Sequence, residues 1–86
     1  MATVWIPPLV QGLTGGRQVV EAPGATLRDV IDNLDAEYPG LKGRLFEHGR
    51  VRPGISVTVD GVVSNKRNRS VREDSEIHFV PAISGG

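Results

Sequence analysis

Apolar residues along the chain recur at two different periods, and the switches between them mark the elements. Val4 and Ile6 share one face at a period of two, with Trp5 on the other, which predicts a strand over residues 3–10. Pro7 and Pro8 bring that strand to its end or place it at a sheet edge. Residues 11–16, with Gly15 and Gly16 adjacent, read as a turn, and residues 17–21 as a second strand completing an N-terminal hairpin. The period then becomes helical. Leu27, Val30, Ile31 and Leu34 form one apolar stripe in a helix predicted over residues 26–38. Thr26 is its N-cap, with Asp29 three residues on, and Pro39-Gly40 ends it. Residues 41–46 read as a short second helical turn carrying Leu41, Leu45 and Phe46 inward, and residues 47–54 as a polar loop. Ile55, Val57 and Val59 alternate with Ser56 and Thr58, which predicts a half-buried strand. Asp60-Gly61 before Val62-Val63 is a hairpin signal. Residues 64–70 form a polar, basic loop, and Glu76 to Pro81 is the last strand, with Ile77 and Phe79 on one face.

A single helix with one apolar stripe has to bury it against a sheet. Two strands, a helix and further strands, in that order, predict an α+β β-grasp domain, the ubiquitin-like arrangement, with a mixed sheet packed on one main helix. The domain spans residues 1–81, and residues 82–86 form a short flexible tail ending Gly85-Gly86. There is no internal repeat or linker.

Composition narrows what such a domain can do. At 86 residues the chain makes one domain with a thin core and little room for a deep catalytic cavity. Ten basic residues balance ten acidic ones, so the basic excess of a nucleic-acid binder is missing. With no cysteine, disulfides, thiolate metal sites and a cysteine nucleophile are excluded. No apolar run approaches a membrane span of roughly 18 residues, and no signal core is visible. The expectation is a cytoplasmic protein that engages neither membrane nor nucleic acid.

The tail carries the chemistry. Glycine has high conformational freedom and nothing to bury, so Gly85-Gly86 after an apolar strand is poor structural material. On its own it reads as a frayed end. On a β-grasp domain it presents a backbone carboxylate on a slim stalk that another protein can enclose. Adenylyl transfer from ATP would make the Gly86 carbonyl a mixed anhydride, and a sulfur donor could then displace AMP to leave a thiocarboxylate. The segment Val80-Pro81-Ala82-Ile83-Ser84-Gly85-Gly86 resembles the tails of the ubiquitin-like sulfur carriers used for molybdopterin, thiamine and cysteine synthesis, the MoaD/ThiS kind. Further upstream, Ile6-Pro7-Pro8-Leu9, Thr14-Gly15-Gly16, Gly24, Thr26-Leu27, Val30-Ile31, Leu34, Tyr38 and Gly40 resemble the actinobacterial cysteine-synthesis branch. The resemblance runs nearly end to end; the basic Lys66-Arg67-Asn68-Arg69 run matches no family motif.

That resemblance implies that an adenylyltransferase related to ubiquitin-activating enzymes modifies Gly86. Residues Ala82, Ile83, Ser84 and Gly85 would thread into the active site of a sulfur-accepting biosynthetic enzyme. ATP, magnesium and any zinc would belong to those partners, and the chain itself would hold no cofactor or metal and would not be an enzyme. The recipient pathway stays open, with cysteine synthesis leading, molybdopterin next, and thiamine or a thiolated natural product after that. The alternatives are a ubiquitin-like modifier joined to proteins through Gly86, and a plain interaction domain.

Other residues carry two readings each. Trp5, His78 and Val80 make a partner surface on the open sheet face if their strands are neighbours; otherwise a loop covers Trp5. His48 and His78, without a spaced carboxylate or thiol, make a weak metal signal. Asp29, Asp32, Asp35 and Glu37 form either an acidic docking surface or the solvated face of the helix, and the latter is favoured. Lys66, Arg67, Arg69 and Arg72 read as solvated loop charges.

Overall fold

The structure is a computed structural model, and it describes residues 1–47, 50–64 and 69–81, Pro81 by its backbone alone. Chain order is β1 (Ala2–Trp5), a 3-10 helix (Pro8–Thr14), β2 (Val19–Ala22), α1 (Leu27–Glu37), α2 (Leu41–Leu45), β3 (Phe46–Glu47), β4 (Arg50–Val51), β5 (Ile55–Val59), β6 (Val62–Val63) and β7 (Glu76–Pro81). Five of the strands form one mixed sheet in the order β2-β1-β7-β5-β6. β1 pairs antiparallel with β2 and parallel with β7, while β5 pairs antiparallel with β7 and β6. This is the expected β-grasp arrangement.

α1 forms where the sequence places it because its ends and its stripe agree. The Thr26 side chain accepts the Asp29 N–H at 3.2 Å, closing the N-terminus. Leu27, Val30, Ile31 and Leu34 are all buried, and they meet Val4, Val57, Val59, Ile77 and Phe79 from the sheet in one core. The turn into α1 depends on glycine: a Cβ on Gly24 would lie 2.7 Å from both the backbone nitrogen and Cγ2 of Val30. Asp35 is more than solvated surface. Its Oδ1 accepts the N–H groups of Gly40 at 3.2 Å and Lys42 at 3.0 Å, which ties the start of α2 to α1. Lys42 Nζ reaches Asp32 Oδ1 at 2.6 Å on the same side.

The N-terminal segment departs from the expectation. β1 stops at Trp5, and the residues read as a strand continuation and a turn wind into the 3-10 helix Pro8–Thr14. Two consecutive prolines remove two ladder donors, and Pro8 with its fixed φ suits a helical start. The Thr14 hydroxyl, within 2.8 Å of Arg17 O and 3.0 Å of Gln11 O, fastens the end of this segment. β2 consequently begins at Val19, two residues later than expected. The segment over residues 47–54 is also more than a loop, since Phe46–Glu47 pairs with Arg50–Val51 in a small antiparallel ladder.

Truncating the stripe tests this core. Leu34→Ala, at a fully buried position, should cost about 2–5 kcal/mol in chemical denaturation. Thr26→Ala should cost about 0.5–2 kcal/mol through loss of the cap. A neutral Leu34→Ala would mean that the helix buries another face.

Candidate functional site

β7 is the strand that leads to the tail, and it lies in the middle of the sheet. β1 flanks it on one side and β5 on the other, out to the pairing of Ile55 with Pro81. Proline offers no N–H to a ladder, and Pro81 is the last described residue of the strand. Ala82, Ile83, Ser84, Gly85 and Gly86 lie outside the described residues, as do His48, Lys66 and Arg67. What the structure describes is therefore the base from which the tail departs.

The first feature of that base is the open face of the sheet. Trp5 and His78 are cross-strand neighbours whose rings stack at 4.1 Å with 9° between planes. Both are half-buried, so no loop covers Trp5 completely. Val80, two residues further along β7, is on the same face and 41% exposed. Trp5, His78 and Val80 thus share the open face of the sheet, as expected. Register extends this set into a row across every strand of the sheet, Val19–Trp5–His78–Thr58–Val63. Val19 and Val63 are exposed large apolar residues within it. Glu76 Oε1 lies 3.8 Å from His78 Nε2 at the row's edge. Among the described residues, no three His, Asp or Glu side chains converge to hold a metal ion.

The second feature is an open cleft of about 520 Å³ beside the end of β7. Its apolar wall includes Pro8, Leu9, Ile55 and Val80, and Arg44 and Arg52 supply its polar side. Arg52 is anchored, because its Nε donates to Gly43 O at 2.9 Å. Leu9 is 95% exposed despite its size.

The third feature fixes where β7 begins. Asp60 holds a left-handed φ of 52° in the hairpin between β5 and β6, followed by Gly61 at 84°. From there its carboxylate accepts the Glu76 N–H at 2.9 Å and the Ser75 hydroxyl at 2.8 Å, while Ser75 Oγ accepts the Arg72 N–H at 2.8 Å. The Glu76 N–H, then the Ser75 hydroxyl, and then the Arg72 and Arg69 charges hold the Asp60 carboxyl below its ordinary value. The Arg72 side chain is largely exposed, as expected of a solvated charge, and it is the backbone N–H that works inside the turn. The sequence signals Asp60 only as a hairpin residue; its second role depends on Ser75 and Glu76, some 15 and 16 positions away.

Comparison with known proteins places this geometry. The ThiS family profile matches residues 6–86. The chain belongs to the ThiS family. It is 31% identical over 90 residues to the sulfur carrier protein CysO of Mycobacterium tuberculosis, covering 98% of this chain and 97% of that one. It is 38% identical over 65 residues to small archaeal modifier protein 3 of Haloferax volcanii, covering 72% of this chain and 71% of that one. Among solved structures, a chain of the Amycolatopsis orientalis BexX/CysO complex superposes with a TM-score of 0.89 at 31% identity, covering 100% of both chains.

The ThiS-family match spans the Ile6-Pro7-Pro8-Leu9 corner, the residues of the cleft and the tail, and it begins one residue after Trp5. The expected identification as a ubiquitin-like carrier and the expected fold both hold.

Asp60 yields a prediction in pH. Its folded pKa lies below the unfolded value near 3.8. Its contribution to stability is therefore fully present above that value, and is lost as pH falls through the folded pKa. Asp60→Asn keeps a residue tolerant of left-handed φ but removes the charge. It should melt below the wild type at neutral pH, and the gap should close as pH falls from the unfolded value through the folded pKa. A constant gap across that range would assign the effect to shape rather than charge.

Proposed function

We propose that this chain is a sulfur carrier whose working group is the carboxylate of Gly86. The observation that carries the reading is the match to CysO relatives over almost the whole of both chains, together with a family match that runs through residue 86. The central placement of β7 supports it, since residues 82–86 continue from a strand fixed on both sides.

The chemistry balances as follows. A Gly86 carboxylate oxygen attacks the α-phosphorus of ATP, forming the acyl adenylate and releasing pyrophosphate. Hydrosulfide or an equivalent sulfur donor then adds to the activated carbonyl, AMP leaves with the C–O bond's electron pair, and a thiocarboxylate remains. A recipient enzyme takes the sulfur, and the carboxylate is regenerated by water. The chain supplies the carbonyl and its presentation. Its partner, an adenylyltransferase related to ubiquitin-activating enzymes, supplies ATP, magnesium and catalysis, so the chain is not itself an enzyme. Use of ATP by its partner supports a cytoplasmic location; no described helix is long and apolar enough to cross a membrane.

Ala82, Ile83, Ser84 and Gly85 would thread into each partner, with glycine at the reacting end so that walls can close around the backbone. Resemblance to CysO favours an enzyme of cysteine synthesis as recipient, ahead of a molybdopterin synthase. The Haloferax modifier relative supports a second reading, in which the adenylate passes to lysines of other proteins.

Incubation with ATP, a cognate activating enzyme and sulfide should replace one oxygen by sulfur in the C-terminal peptide, read by mass spectrometry. Deleting Gly86 should abolish the change, because a reacting carbonyl misplaced by about 1 Å can cost about a hundredfold. Gly85→Val should slow activation without altering the melting temperature. Sulfur gained by the chain lacking Gly86 would refute the reading, and isopeptide-linked products in cells would favour the modifier.

A further inference from the structure

The cleft beside β7 is a built surface with no use inside the domain. Leu9 is held out to solvent at 95% exposure on a corner made stiff by Pro7 and Pro8. The Val10 N–H donates to Pro7 O at 3.0 Å, and Gln11 Nε2 donates to Ile6 O at 3.0 Å, so the corner's backbone is pinned on both sides. A large apolar side chain on a rigid support loses little conformational freedom when it is covered.

The opposite side of the cleft is basic. Arg44 and Arg52 both line it, and none of its lining residues is acidic. Among the described residues, neither guanidinium forms an ion pair with a carboxylate. The bond from Arg52 Nε to Gly43 O fixes that side chain and leaves its terminal N–H groups for a carboxylate. Two like charges beside an apolar wall therefore ask for an acidic partner with an apolar centre.

The position of the cleft identifies which partner. Val80 is part of its wall, and the chain runs from there to Gly86. At full extension those six residues reach at most about 20 Å. A protein that holds Gly86 in its active site consequently has surface within reach of the cleft. Adenylation precedes every later transfer, in the carrier and the modifier reading alike. The adenylating enzyme is thus the first protein obliged to grip the domain there.

We propose that the cleft bounded by Leu9, Ile55, Val80, Arg44 and Arg52 is the docking site for the enzyme that adenylates Gly86, taking an apolar side chain flanked by carboxylates. The proposal rests on the Gly86 reading above. It assigns the grip to the flank of the domain rather than to the Trp5–His78 row alone.

The test is steady-state pyrophosphate release by the activating enzyme with the full chain as varied substrate. Leu9→Ser and the double variant Arg44→Glu/Arg52→Glu should each raise KM for the carrier about tenfold or more. Their kcat should stay near that of the wild type, because Gly86 is untouched. Leu9→Met should restore most of the affinity. The wild-type KM should rise with salt, and that of the double variant should not. Thermal melting guards against misfolding, and Leu9, being exposed, should leave it unchanged.

Wild type adenylated with unaltered KM in both variants overturns the cleft while leaving the Gly86 reading intact. A lower KM in the double variant would mean that the arginines hold the chain's own tail, which also overturns it. So would a wild-type dimer, seen by sedimentation, that the variants dissociate. A wild-type chain that is not adenylated overturns both readings.

Discussion

The structure depends on the insertion of the last strand into the middle of the sheet. β7 receives β1 along one edge in parallel and β5 along the other in antiparallel. Without it, the N-terminal hairpin and the β5–β6 hairpin have no common ladder, and α1 has no continuous surface beneath its stripe. Ile77 and Phe79, both buried, are the side chains through which this strand enters the core. Parallel pairing of residues 3–5 with residues 76–78 spans most of the chain, so the entropy of closing that long loop is recovered only when the whole domain forms. Such a fold has few partly formed states in which the tail would be correctly presented.

Much of this was legible in the residue pattern, because local signals and burial agreed. The stripe of α1, its Thr26 cap, the alternation of Ile55 to Val59, the Asp60-Gly61 hairpin and the β7 strand all appear at their expected positions. The failures came where one signal has two outcomes. Pro7-Pro8 marks the end of a strand in either case, but the following Leu9 and Val10 are apolar enough to continue one. The 3-10 segment is closed by the Val10 N–H bond to Pro7 O at its start and the Gly16 N–H bond to Gln11 O at its end, which alternation does not encode. The ladder of Phe46–Glu47 with Arg50–Val51 is only two residues deep, too short for a period to declare itself.

The site divides in the same way. Placing Trp5, His78 and Val80 on one face needs only a period of two, and the ring stack follows once β1 and β7 are neighbours. The extension to Val19, Thr58 and Val63 depends on register across four strand pairs, which no local pattern supplies. Asp35 and Asp60 show the more general reason that acidic residues were underestimated. A carboxylate on the polar side of a helix or at the tip of a hairpin looks like a solvated charge. Its value appears only when the chain returns and presents backbone N–H groups, as Gly40 and Lys42 do to Asp35 and Glu76 does to Asp60. Arg44 and Arg52 were missed for the converse reason: their significance lies in the carboxylates that do not accompany them.

A domain of this size has to choose where to place its chemistry. Its core is one layer of side chains between a helix and a sheet, and a buried reactive group there would displace apolar area that the fold cannot spare. A reactive atom at the end of the chain, as proposed for Gly86, removes that conflict, because the core of the described residues is drawn from residues 2–79. The same choice transfers selectivity outward. Gly85 and Gly86 have no side chains to distinguish one enclosing enzyme from another, so in the proposed reading the distinction falls to the residues before them and to the domain at the tail's root. Of the exposed large apolar residues described, Val19, Val63 and Val80 lie with the Trp5–His78 row and Leu9 stands at its own corner, while Met1 and Val62 lie elsewhere. Val80 belongs to both, and the chain passes directly from it toward Gly86. In the proposed reading, recognition and reactivity are thereby coupled by covalent proximity.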